Sequence, residues 1–133
     1  MVKDHMLCPQ EIVKKVWGEE QIIVNQKYCG KILIITEQHR CSMHYHRKKD
    51  ETFFVISGMV LLEIGKEVFT LHPGYSFRVK PGVPHRFTGL EWSRMVEFSS
   101  HHEDGDSYRT TVSEKVSDKD FKCLLVGDYS VLA

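Results

Sequence analysis

Read for period, the middle of the chain is a succession of short β-type runs. Lys31–Thr36 is apolar and β-branched, and Phe53-Phe54-Val55-Ile56 runs into Gly58. Val60–Ile64, Val68–Leu71, Phe77–Val79 and Met95–Phe98 follow at short intervals. Such spacing, with turn residues between runs, predicts a β-sandwich or barrel. Gly65-Lys66 predicts a two-residue hairpin. His72-Pro73-Gly74 and Pro81-Gly82-Val83-Pro84 read as rigid turns, with Pro84 confined to an edge or bulge. Helix is expected in only two places. One is a weak turn at Gln10–Lys15, and the other is Ser117–Lys122, where Ser117 or Asp118 can act as N-cap. From His102 to Asp106 the chain turns polar and acidic, as a loop leaving the sheet would. In Met95–Phe98 the alternation of Val96 and Phe98 with Glu97 suggests that Glu97 faces away from the core. The pattern describes one all-β domain. Residues 1–30 form an N-terminal extension with a first strand, 31–110 the barrel core, and 111–133 a C-terminal extension with a helical turn and a strand.

Composition adds boundaries. At 133 residues the chain has room for one core. Lys+Arg and Asp+Glu both number 18, so no charge excess favours nucleic acid or an anionic membrane as partner. Cys8, Cys29, Cys41 and Cys123 form no CxxC pair, and the N-terminus has no run of signal-peptide length. The expectation is therefore a cytoplasmic protein with reduced thiols. The apolar runs are too short to span a bilayer.

The chain is unusually rich in histidine, and seven of its eight lie between His39 and His102. Residues two apart on a strand share a face, so His44 and His46 project side by side. A charged turn then brings Glu51 back at the start of the next strand, and the Pro81–Pro84 turn aims His85. Three imidazoles and a carboxylate suit a divalent Mn, Fe, Ni, Co or Zn ion. His5 and His72 are expected to be ordinary surface residues, while His39 is placed to line the pocket.

These segments resemble the two motifs of the cupin superfamily. His44, His46, Glu51 and Gly58 fit the first, with Gln38 at its leading glycine. Gly74, Gly82 and His85 fit the second, with Lys80 in place of its proline and Gly89 in place of its asparagine. The resemblance spans Gln38–Gly89 and implies a cupin jelly-roll barrel with the metal inside its mouth. Val16-Trp17-Gly18, Val96-Glu97-Phe98 and Gly105-Asp106-Ser107-Tyr108-Arg109 are similar to type II mannose-6-phosphate isomerase domains and related small sugar isomerases. The spacing from the HxH pair to Glu51 is one residue longer than is usual there. That resemblance implies aldose–ketose isomerisation of a sugar or sugar phosphate, with the metal as Lewis acid.

Glu97, His101 and His102 are the candidates for the base. Arg40, Arg78, Arg86 and Arg109 are candidates for holding a phosphate, and Tyr45 and Tyr75 for lining the mouth. Two other functions fit the same ligands: an Fe(II) dioxygenase, and a non-catalytic module that binds a sugar. Small cupins commonly dimerise, and Phe121–Val126 is apolar enough to add a strand to a neighbour's sheet or to pack on its own barrel.

Overall fold

The computed structural model describes residues 11–132. The chain forms two antiparallel sheets. One has the order β1 (Glu11–Lys15), β2 (Gly18–Asn25), β3 (Tyr28–Ile35), β11 (Ser93–Ser100), β6 (Glu51–Ser57) and β9 (Ser76–Val79). The second runs β12 (Tyr108–Arg109), β5 (His44–Tyr45), β10 (His85–Gly89), β4 (His39–Arg40) and β13 (Glu114–Lys115). On the other side of β10 lies β7 (Val60–Ile64), which carries β8 (Glu67–Leu71). This is the expected all-β jelly roll. The hairpin expected at Gly65-Lys66 joins β7 to β8, with Gly65 at φ 58°.

Between the sheets lies a core of Trp17, Leu33, Ile35, Phe53, Val55, Val60, Leu62, Phe87 and Met95. Val60-Leu61-Leu62-Glu63 is buried at every position, because β7 is covered on both faces. Its outer cover is the C-terminal segment. Helix α1 (Asp118–Leu125) starts at Ser117, whose side chain accepts from the Asp120 amide. Phe121 and Leu124 then pack with Leu61, Leu90 and Val116 in a second cluster. Of the two roles expected for Phe121–Val126, the segment takes the second: it is helix up to Leu125 and packs on its own barrel, not a strand offered to a neighbour. Burying Phe121 and Leu124 at helical spacing outweighs the β propensity of the run.

The helical turn expected at Gln10–Lys15 is also corrected: residues 11–15 are strand β1, paired along their length with β2, and Gln10 lies outside the described residues. Its sequence is too short to hold a helix without tertiary support, and a turn at Val16-Trp17 returns the chain into register. Gly18 has φ 145°, and a Cβ there would sit 1.9 Å from the Ile34 carbonyl oxygen.

At Gln38, the position of the motif's leading glycine, the backbone is left-handed with φ 67°. The side chain offsets that strain by donating to the Val116 carbonyl at 2.8 Å and to Asp118 at 2.7 Å. The substitution thus ties the C-terminal extension to the barrel. Gly58 has no such freedom. At φ 86°, a Cβ would meet the Trp92 carbonyl oxygen at 2.3 Å. Gly58→Ala is expected to destabilise the fold by about 2–4 kcal/mol, read as a drop in the denaturant midpoint at unchanged m-value.

Candidate metal centre

Three short elements deliver the histidines. His44 lies on β5, His46 just after it, and His85 opens β10, directly opposite His44 in the register. One ligand nitrogen from each lies within 4.8 Å of the others. The tautomers are fixed from outside. Each Nδ1 faces a main-chain carbonyl, which only accepts, so each Nδ1 carries the proton. His44 donates to Ser42 at 2.7 Å, His46 to Asp106 at 3.0 Å and His85 to Val83 at 2.9 Å. That leaves the three Nε2 lone pairs for the interior, the arrangement in which metal-binding histidines are held. Burial, with the neighbouring His85, pushes the His44 pKa down to about 3, and burial with the nearby Lys49 ammonium takes His46 to about 4. Both rings are neutral at pH 7, as ligands must be.

Glu51 stands beside this group. Its Oε1 lies 2.9 Å from His85 Nε2 and 3.6 Å from His46 Nε2. The pair at 2.9 Å is not aligned for a hydrogen bond, and both Glu51 Oε1 and His85 Nε2 are buried without a partner. Orphaned acceptors at the focus of a buried site are costly unless a cation satisfies them. The donor set therefore fits a divalent metal. Burial alone would raise the Glu51 pKa, but the Lys49 ammonium beside Oε2 counters it and holds the carboxylate below its usual range.

Lys49, which reads in the sequence as part of a charged surface turn, is buried at the centre of the remaining polar groups. Its Nζ is 3.2 Å from Glu51, 3.2 Å from Glu97 and 3.1 Å from His102 Nδ1. The cost of burying its charge is outweighed by the two carboxylates, which raise its pKa. Asp106 places it: one carboxylate accepts from the backbone amides of Arg47, Lys48 and Lys49. Nothing in the local pattern marks Lys49 or Asp106, since both roles arise from contacts some 50–60 residues apart.

The inner cavity measures about 100 Å³ and is lined by His44, His46, Glu51, Lys49, Glu97, His102 and Arg109, with Trp17, Phe53 and Phe87 as its apolar wall. Glu97 corrects the parity reading. It is buried and faces inward with Ser93 and Met95, while Phe98 is 57% exposed. The ion pair with Lys49 makes an inward carboxylate tolerable, and the outer face of this sheet carries the aromatic residue instead. His102 lines the cavity, whereas His101 is exposed and donates to the Gln26 carbonyl.

Of the four arginines only Arg109 reaches the cavity. Arg40 is paired with Glu114, Arg78 with Asp50 and Arg86 with buried Glu63. The expected phosphate cluster is thus dispersed, each guanidinium being already satisfied by a carboxylate. Tyr45 stacks on Tyr108 at 5.1 Å and Tyr75 packs edge-on against His72 at 5.5 Å, so neither is among the residues lining the inner cavity. His39 lies away from it too, bonded to the Glu37 carbonyl. His5 and Cys8 are outside the described residues. Cys29, Cys41 and Cys123 are free thiols, and burial pushes Cys41 up to about 12. Among the described residues no helix is long and apolar enough to cross a membrane.

Comparison with known proteins agrees with this geometry. Residues 32–97 match the family described as Cupin domain. The fold is a cupin jelly roll. Among solved cupin-like structures, KdgF from Halomonas sp. superposes with a TM-score of 0.61 at 20% identity, over 65% of this chain and 81% of that one. Streptomyces PAC13, solved with uridine, gives 0.70 at 14% identity, over 84% and 89%. Bacillus subtilis oxalate decarboxylase gives 0.68 at 12%, over 76% of this chain and 30% of that one. These identities show the shared fold and no more. No curated protein matches the chain in sequence.

The lowered pKa values of His44 and His46 have a consequence for the metal-free protein. Below pH 6.5 the unfolded chain takes up protons at these positions and the folded one does not until about pH 4 and then 3. Falling pH therefore favours unfolding across that window. The melting temperature of metal-free protein is expected to drop steeply from pH 6.5 to pH 4, and less so in His44→Gln. An equal drop in both would contradict the buried neutral rings.

Proposed function

We propose that this cupin is a metal-dependent enzyme that moves a proton between adjacent carbons of a small hydroxylated carbonyl compound, as an aldose–ketose isomerase does. The observation that carries this reading is Glu97, a buried carboxylate lining the same cavity as His44 and His46 and one ammonium away from Glu51. His44, His46 and His85 would hold the metal, with Glu51 as the fourth ligand. A metal there would supply Lewis-acid polarisation of the substrate carbonyl.

The protein's own groups divide the remaining work. Glu97 accepts from Lys49 and from Ser99 through Oε2 alone, which leaves Oε1 to take the proton from C2 and return it to C1. His102 is unsuited to that role because both ring nitrogens are engaged. Its Nδ1 accepts from Lys49, and its Nε2 donates to Asp104 at 2.9 Å. Lys49 holds Glu97 and Glu51 apart on a single cation and occupies Glu51 Oε2, so that only Oε1 faces the histidines. Trp17, Phe53 and Phe87 wall the cavity and exclude bulk water from the transferring proton. With Arg40, Arg78 and Arg86 committed elsewhere, an unphosphorylated sugar suits the cavity better than a sugar phosphate.

The test uses protein loaded in turn with Mn, Fe, Co, Ni and Zn, offered C4–C6 aldoses and ketoses and reducing disaccharides in D₂O. Interconversion with deuterium entering at C1 or C2 is the expected result. Glu97→Gln should lower turnover by roughly 10²–10⁴-fold while metal content stays at the wild-type level. No interconversion and no exchange with any metal would refute the isomerase. Oxygen consumption by the iron form alone would point to the dioxygenase alternative.

A further inference from the structure

A second cavity of about 300 Å³ opens beside the first, lined by Glu11, Val13, Lys15, Glu20, Ile22, Asn25, Lys31, His102 and Asp104. Lys15, Glu20, His102 and Asp104 line both cavities, so the two are compartments of one cleft. The outer compartment is built from β1, β2 and β3 at one edge of the larger sheet. Asn25 fixes its boundary with the inner one, since its side chain donates to the His102 carbonyl at 3.0 Å and accepts from the His102 amide at 2.8 Å.

One feature of this compartment asks for a ligand. The Lys31 side chain is only 1% exposed, and among the described residues its ammonium has a single contact, Glu20 at 3.3 Å. An ammonium has three donors. A buried one with a single long bond lacks acceptors, and burying it without them is expensive. Anions do not suit it as acceptors, because Glu11, Glu20 and Asp104 surround the same space and outnumber Lys15 and Lys31. A nucleobase is poorly served as well, since among the described residues no Phe, Tyr or Trp lines the compartment. Hydroxyl groups meet every demand. Each accepts from a lysine and donates to a carboxylate, while Val13 and Ile22 offer apolar surface to ring C–H groups.

We propose that the cleft binds a carbohydrate of at least two sugar units, with the reacting unit beside His44, His46 and His85 and the next unit in the outer compartment on Lys31, Glu20 and Glu11. This rests on the proposal that the inner site takes a hydroxylated carbonyl compound, and it names the size class of that substrate. The outer compartment then sets specificity, and remote binding there helps to hold the reacting unit in place.

The experiment measures binding, not turnover, by calorimetry on the metal-loaded full chain. The probes are glucose and mannose against the reducing disaccharides maltose, cellobiose and mannobiose. At least one disaccharide is expected to bind about tenfold or more tightly than its own monosaccharide. Lys31→Met should bring that ratio down to about one, and Val13→Trp, which fills the compartment from β1, should do the same should the Lys31 variant fold poorly. Equal affinity for mono- and disaccharides, or a ratio that survives both substitutions, would overturn the proposal. Binding of no sugar at all would overturn it together with the carbohydrate reading of the inner site. A clear disaccharide preference without isomerisation would sustain the outer subsite and refute only the isomerase.

Discussion

Three imidazoles converging on one buried point is the arrangement on which the rest of this molecule depends. Such a focus is unfavourable by itself, because the lone pairs face one another with no hydrogen to share. It persists because each ring is locked from behind by a different main-chain carbonyl, at Ser42, Val83 and Asp106. Those carbonyls belong to three separate stretches of chain that meet only when β5, β10 and β12 are paired. The site is therefore a product of closing the barrel, and the burial that depresses the His44 and His46 pKa values comes from the same closure.

The inner face of the larger sheet changes character along its strands. At one end Leu33, Ile35, Val55 and Met95 make a dry core. At the other, Lys31 sits directly opposite Glu97 in the register, and Glu97 opposite Phe53. Lys49 enters from the neighbouring loop to bridge Glu97 and Glu51. Charges this deep are tolerated only as members of a network, since each supplies the hydrogen bonds that water would have given the next. The same network sets the chemistry of the cleft. It keeps one oxygen of Glu97 free, fills both nitrogens of His102, and leaves Lys31 short of acceptors on the outer side.

The convergence of the candidate metal ligands was legible in the sequence because period-two geometry and a rigid Pro-Gly turn are local properties. His44, His46, Glu51 and His85 could be assigned from spacing, and the strand runs and the N-cap at Ser117 followed from local pattern as well. Parity misled at Glu97, where Val96 and Phe98 looked like the inward pair. A strand with one face on a charged cleft and the other carrying exposed apolar side chains inverts the usual rule. The arginines failed for a related reason. Composition supplies candidate phosphate ligands, but whether a guanidinium is free depends on a carboxylate that can lie 74 residues away, as Glu114 does from Arg40.

The sequence alone thus determined the fold class and the identity of the histidine cluster, both of which are written in short-range spacing. It also carried Gln38 in place of a glycine, without showing that its side chain would clasp the C-terminal extension. Tertiary structure decided what lies around the candidate metal ligands: the placement of Lys49 by Asp106, the inward turn of Glu97, the satisfaction of three arginines by carboxylates away from the cavity, and the joining of two cavities into one cleft. Those outcomes depend on strand register and on loops brought together from distant parts of the chain. Register is an energy of the whole sheet, and no window of the sequence contains it.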